Sequence, residues 1–368
     1  MSWLFGGKKD SIAAVVDIHS SSISAGYVYV SPGKAPVVIE TVTYPLDAHA
    51  TEPLTESVPR VLQLALNSLT QSGAPKVREY AGHSRVSKVI VSISAPWHTH
   101  QVSIHEKKSD KPFTVTSSLI EELVPEGEHA GKANTMSNQK VVSVYLNGYE
   151  TPDPYGKRAS HVEVIALTST VDATFYASVG SIIRSAFHSK NIWITSFITE
   201  FYFAYRDLFP HQRDYILLDV GSTSIDIICV KHALLVWSGS SQFGADVAIA
   251  PLKERGVDTT DVSTSSDVSL TPGWTTAFVD SLHEDLRALS HEEALPSLVL
   301  YNASKKVCDL MSQALGDERL TPLWLTNNPP SSHAVSGGEF SRFVSVAQGV
   351  VVPTELYALA LSLRHKES

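Results

Sequence analysis

The segment Asp17-Ile18-His19-Ser20-Ser21-Ser22-Ile23 returns in the second half of the chain as Asp219-Val220-Gly221-Ser222-Thr223-Ser224-Ile225. An apolar strand pattern precedes each copy, and a second β-prone run follows, at residues 25–30 and 227–230. The similarity extends outward. Residues 12–16, 22–30 and 37–44 read as a β-meander, and residues 215–218, 224–231 and 234–238 repeat that layout around a tight turn at His232-Ala233. A repeated supersecondary unit of this kind constrains the chain to two related lobes. Turns of small hydroxyl residues gather backbone N–H groups and side-chain oxygens into a concavity that suits phosphate. An Asp beside such a turn can orient a hydrated Mg2+. One such turn per half predicts a nucleotide clamped between the lobes.

At 368 residues the chain exceeds one small core, so two or three domains are expected. A net charge of −9 argues against a nucleic-acid partner, because no positive field would collect on phosphate backbones. Cys229 and Cys308 both sit in apolar runs and read as buried thiols of a reducing compartment. No apolar run approaches the roughly 20 residues of a membrane span. Trp3, Leu4 and Phe5 precede Lys8 and Lys9, the reverse of a secretory signal, and predict a cytoplasmic protein.

Between the repeats, residues 58–69 have helical spacing and should end before Gly73. Residues 88–94 read as a strand, 117–124 as a capped helix, 125–138 as a mobile loop, and 141–146 and 161–168 as strands. Residues 84–168 therefore look like an inserted strand–helix–strand–strand module. Helices are expected at 172–187 and 200–208 around a strand at 192–197. Further on come a loop at 257–272, a helix at 275–289 and a strand at 298–301. The expected order ends with a helix at 306–315, a loop at 327–338 and a largely helical stretch at 343–363.

The string 217–227, with its Asp–x–Gly–Ser–Thr core, resembles the second phosphate motif of the actin-like ATPase superfamily, and the Asp17 copy is similar to the first. The inserted module, the strings Leu146-Asn147-Gly148-Tyr149 and Pro154-Tyr155-Gly156-Lys157, and the turn Gln242-Phe243-Gly244-Ala245-Asp246 resemble the FtsA/PilM branch. The resemblance implies an α/β, two-lobed, duplicated actin-like (ribonuclease H-like) fold with an inserted subdomain of the SHS2 kind. Its expected divisions are residues 1–83 and 169–212 for the first lobe, 84–168 for the insert and 213–368 for the second lobe.

It also implies ATP and Mg2+ as ligands. Asp17 and Asp219 would organise the metal through water. Ser20, Ser21, Ser22, Gly221, Ser222 and Thr223 would flank the phosphates, with Gly244, Asn302 and Ala303 also at the nucleotide, and Glu200 would position metal-bound water. Two departures bear on this. His19 stands where relatives place Gly, and Asn302-Ala303-Ser304-Lys305 replaces the glycine run of the adenosine motif. A Cβ and an imidazole occupy space that phosphates need, and Ala accepts left-handed φ poorly. Weakened or altered nucleotide binding follows, with at most weak ATPase activity.

The resemblance to PilM implies a scaffold of type IV pilus or related envelope machinery, held at the inner membrane by a peptide segment of a membrane assembly protein. Such a peptide adds edge hydrogen bonds and inserts side chains into pockets. A cell-division protein of the FtsA kind, with self-association, and an active ATPase or kinase are the alternatives. The division reading expects an amphipathic helix beyond residues 364–368. Two other motifs stand apart from these. In Trp97-His98-Thr99-His100 two imidazoles share one strand face, but the sequence shows no third metal ligand. Gly337-Gly338-Glu339-Phe340 superficially matches a cyclic-dinucleotide synthase signature but lies in a Ser/Gly-rich connector.

Overall fold

The computed structural model describes residues 10–46, 54–125, 127–130, 134–241, 243–245, 272–290, 294–303 and 305–365. The apolar-basic start at residues 3–9 and all but the last residue of the expected loop at 257–272 lie outside these residues.

The chain opens with β1 (Ser11–Ile18), β2 (Ser22–Val30), β3 (Val37–Pro45), α1 (Leu54–Ala81) and β4 (Val86–Ile93). The inserted module follows as β5 (His98–Thr114), α2 (Ser117–Leu123), β6 (Gly127–Ala130), β7 (Thr135–Leu146), β8 (Tyr149–Glu150) and β9 (Arg158–Asp172). Next come α3 (Ala173–Phe187), β10 (Ile192–Ser196) and α4 (Phe197–Leu208). The second repeat supplies β11 (Tyr215–Val220), β12 (Ile225–Lys231) and β13 (Leu234–Ser241), then α5 (Pro272–Ser290), β14 (Leu298–Asn302) and α6 (Lys305–Leu315). The chain closes with β15 (Ser331–Ala334), α7 (Gly337–Phe340), β16 (Ser345–Val346) and α8 (Thr354–His365).

The sequence repeat is a repeat of sheets. One sheet runs β10-β4-β1-β2-β3-β16 and another β15-β14-β11-β12-β13. In each, a three-stranded antiparallel meander continues through its first strand into two parallel strands. Register makes Asp17 and Asp219 equivalent. Asp17 lies opposite Ser24 and Ser92, and Asp219 opposite Asp226 and Asn302. A third sheet, β5-β9-β7-β6 with β8 beside β7, carries the insert, and Thr116 caps its helix by accepting from the Leu119 amide.

α4 and α8 pack on each other, and their apolar faces join one core. Phe197, Phe201, Tyr202, Leu356, Leu359 and Leu363 meet Val15 and Val28 of the first sheet, Leu217 and Ile228 of the second, and Leu167 of the third. Each large apolar side chain so buried contributes about 1.5–3 kcal/mol, so this core ties the three sheets together.

Several boundaries differ from expectation. β4 pairs with β1, which places it in the first lobe's sheet, and the third sheet spans His98 to Asp172 instead of residues 84–168. The end of the chain returns to the first lobe: β16 pairs with β3 and α8 packs on β1 and β2, so residues 213–368 are not all second lobe. α1 continues past Gly73 and Pro75. Gly73 serves packing there, since a Cβ would sit 2.7 Å from the Tyr27 ring. Residues 127–130 pair with β7, and residues 331–334 add a parallel strand beside β14, both within expected loops. The helix expected over 343–363 is confined to α8. Gly337–Phe340 is a helical turn closed by a Ser336/Glu339 capping box, a structural use of that motif. Among the described residues no helix is long and apolar enough to cross a membrane.

Candidate functional site at the junction of the lobes

The two repeated turns meet. Asp17 and Asp219 are both buried near the ends of their strands, and each is held by the residue opposite it on the parallel neighbour. The Ser92 hydroxyl donates to Asp17 Oδ1, and Asn302 Nδ2 donates to Asp219 Oδ1 at 2.9 Å. Two acids predicted to face each other are therefore supported by equivalent donors from equivalent strands.

What fills the space between them is the protein itself. The Ser222 amide donates to Ser20 Oγ at 2.9 Å, and the Ser222 hydroxyl donates to the Ser20 carbonyl at 2.7 Å. His19 Nε2 lies 3.5 Å from Asp219 Oδ1, and its Nδ1 is 2.7 Å from Ser21 Oγ. The turns also spend their own donors. Gly221 N bonds the Ser224 carbonyl, while His19 N and Ser22 N bond the carbonyls of Ser22 and His19. Gly221 is required by the close approach, because a Cβ there would stand 2.2 Å from Ser20 Oγ. Gly244 backs onto the same turn, with its Cβ position 2.4 Å from the Ser224 amide nitrogen.

Burial pushes the Asp17 carboxyl well above the usual range, and nearby Glu355 adds to the push against the opposing pull of His19 and Ser92. Burial likewise raises Glu355, whose Oε1 accepts from Ser24 Oγ at 2.9 Å. For His19, burial alone would lower the pKa. The Asp219 carboxylate, with Asp17 and Glu355 behind it, outweighs burial and lifts it to about 9. At neutral pH the junction therefore carries an imidazolium among three acids.

A polyphosphate does not fit these turns as they stand. A phosphate nest needs free amides, and those of His19, Ser22, Gly221 and Ser222 are engaged within or between the turns. Asp17 Oδ2 and Asp219 Oδ2 are buried without hydrogen-bond partners among the described residues, so acceptor capacity for a cation is present. Among the described residues, the positive charge beside them is His19. No chemical step through ATP follows from this arrangement.

The other expected site residues separate. Thr223 is half-buried beside the junction, and the Ser21 carbonyl accepts the Leu46 amide. Asn302 reaches Asp219, but the next residue, Ala303, packs into the core of the second lobe. Glu200 is fully buried on α4, accepting from Thr195 Oγ1 at 3.1 Å with Lys140 Nζ 3.5 Å away. It lines a cavity of about 600 Å3 between the insert and α4. Lys140, Trp193, Tyr202, Phe203, Arg206 and Phe209 share that lining, a mixture of aromatic surface and charge.

Sequence reasoning missed Ser92, Glu355 and above all Asp226. Asp226 is buried on β12 and accepts from the Ala95 amide at 3.1 Å and from Ser240 Oγ at 2.5 Å, with His98 and His100 beside it. Burial opposes its charge, but the imidazoles and these donors hold the carboxyl far below the usual range. The signal was present: an acid inside the apolar run Ile225-Asp226-Ile227-Ile228 needs buried partners.

No protein-family model matches the chain, and no curated protein is similar to it in sequence. Solved structures are similar in fold. A structure described as the PilM-PilN type IV pilus biogenesis complex aligns with TM-score 0.61 and 13% identity, over 96% of this chain and 98% of that one. A Bacteroides thetaiotaomicron protein described as having an actin-like ATPase fold and unknown function aligns with TM-score 0.44 and 10% identity, over 98% and 99%. The ethanolamine utilization protein EutJ of Carboxydothermus hydrogenoformans aligns with TM-score 0.40 and 11% identity, over 96% and 89%. Duplicated sheets, paired acids and the likeness to the first of these structures together give the chain the actin-like ATPase fold.

Proposed function

We propose that the protein is a scaffold of the PilM kind, a two-lobed actin-like shell that receives an extended peptide segment of an inner-membrane assembly protein. The observation that carries this reading is the closed junction: Ser20–Ser222 hydrogen bonds and the His19–Asp219 pair occupy the space a nucleotide would bridge. A shell closed by its own side chains presents its outer surfaces in one arrangement without a nucleotide cycle. The cavity beside Glu200 is the docking place this reading selects. Its wall combines β7 of the insert with Phe203 and Phe209, and Lys140 and Arg206 supply charge for a peptide backbone or acidic side chain. The pilus complex noted above, in which a PilM is assembled with PilN, supports the same role. The partner would hold the protein peripherally at the membrane, as part of pilus or related envelope machinery.

In-cell photocrosslinking tests this. A benzophenone side chain at Phe203 is expected to trap a membrane protein through its cytoplasmic segment, whereas the same group at exposed Tyr80 on α1 is not. Equal trapping at both positions, or none of a membrane protein at Phe203, would overturn the proposal.

A further inference from the structure

The His-Thr-His run of β5 lacks a third metal ligand in sequence, and folding supplies one. Asp226 of β12, in the second lobe, comes to the face of β5 that carries His98 and His100. His98 Nε2 lies 3.5 Å from Asp226 Oδ2 and His100 Nε2 lies 3.1 Å from Asp226 Oδ1, with the ligand atoms all within 4.8 Å of one another. A tetrahedral ion with bonds of about 2.0–2.2 Å separates neighbouring ligand atoms by about 3.3–3.6 Å; the His98 contact falls in that range, and the shorter His100 contact is a hydrogen bond that an ion would replace. The His98 contact is too long for a good hydrogen bond. Among the described residues its Nε2 has no hydrogen-bond partner, and the residue is only 2% exposed. His100 and Asp226 are buried to a similar degree, at 5% and 1% exposure.

The Ala95 amide and Ser240 hydroxyl fix the carboxylate from outside, as outer partners orient ligands in metal sites. The two imidazoles sit with ring centroids 5.4 Å apart. Two imidazole nitrogens and a carboxylate suit zinc and its neighbours in the first transition row, whereas Mg2+ and Ca2+ prefer all-oxygen shells.

We propose that His98, His100 and Asp226 bind one divalent transition-metal ion of the zinc class, which fastens the inserted module to the second lobe. The ion bridges β5 and β12, elements from distant parts of the chain. Metal occupancy therefore governs how firmly the insert is held against that lobe, next to the cross-strand position of Asp219. The site does not depend on the docking role proposed above.

The test uses the full chain stripped with a chelator and then titrated with Zn2+ or Co2+. One equivalent is expected to bind, Co2+ should give the visible bands of tetrahedral coordination, and Zn2+ should raise the Tm. His100→Gln and Asp226→Asn should each weaken binding by at least ~100-fold. His161→Gln, which breaks up the partly exposed Glu106–His161–Glu163 group, should leave it unchanged. Should the variants fail to fold, X-ray absorption of the Zn2+-loaded wild-type chain decides by showing two imidazoles in the coordination shell. Absence of stoichiometric binding, loss of binding in His161→Gln, or a shell without imidazole would each overturn the proposal.

Discussion

His19 is the residue on which the junction turns. A glycine there would leave room between the turns, but it would also take from Asp17, Asp219 and Glu355 the cation that His19 supplies. The imidazolium supplies that charge at the expense of the space. Its pKa is raised from about 6.5 to about 9 on folding, so the stabilisation is fully present below pH 6.5 and is lost as pH rises through about 9. We expect His19→Gln to be less stable than wild type at pH 6 by on the order of 3 kcal/mol, with the gap closing by pH 10. Urea unfolding at the two pH values checks this. Asp17 and Glu355, whose pKa values are raised, also weaken the fold as pH rises, but they do so in both proteins. Asp17 and Asp219 were legible in sequence because a motif repeats; Glu355 was not, because only packing of the chain's end brings it there.

At the scale of elements, the two turns act as one latch. Ser222 gives Ser20 both its amide and its hydroxyl, so two hydrogen bonds cross between lobes at one residue. Removing a hydroxyl partner costs about 1 kcal/mol. Ser222→Ala should therefore speed amide hydrogen exchange in residues 19–22 and 221–224 by about fivefold, with exchange in β4 and β14 unchanged. Uniform acceleration across both sheets would mean that the latch is not a local unit. The meanders themselves could be read from alternation and turns, whereas the edge strands β15 and β16 could not. Short parallel strands carry little periodicity, and their pairing depends on a neighbour from elsewhere in the chain.

The whole molecule is held by α4 and α8, whose shared core reaches all three sheets. Because the lobes are joined through that core and through the latch, the closed arrangement needs no nucleotide. Calorimetric titration with Mg-ATP should give no saturable heat and no rise in Tm. A saturable response that Asp219→Ala removes would show that the turns part for a nucleotide and would return the ATPase reading.

The sequence by itself determined the duplication, the two acids at equivalent strand ends and the presence of an insert, because these follow from local pattern and its recurrence. Only the tertiary structure decided what stands between the acids, where the last helix returns, and that Asp226 meets His98 and His100. Those facts depend on contacts between residues far apart in the chain, where side chains compete for one buried volume, and no local pattern encodes the outcome of that competition.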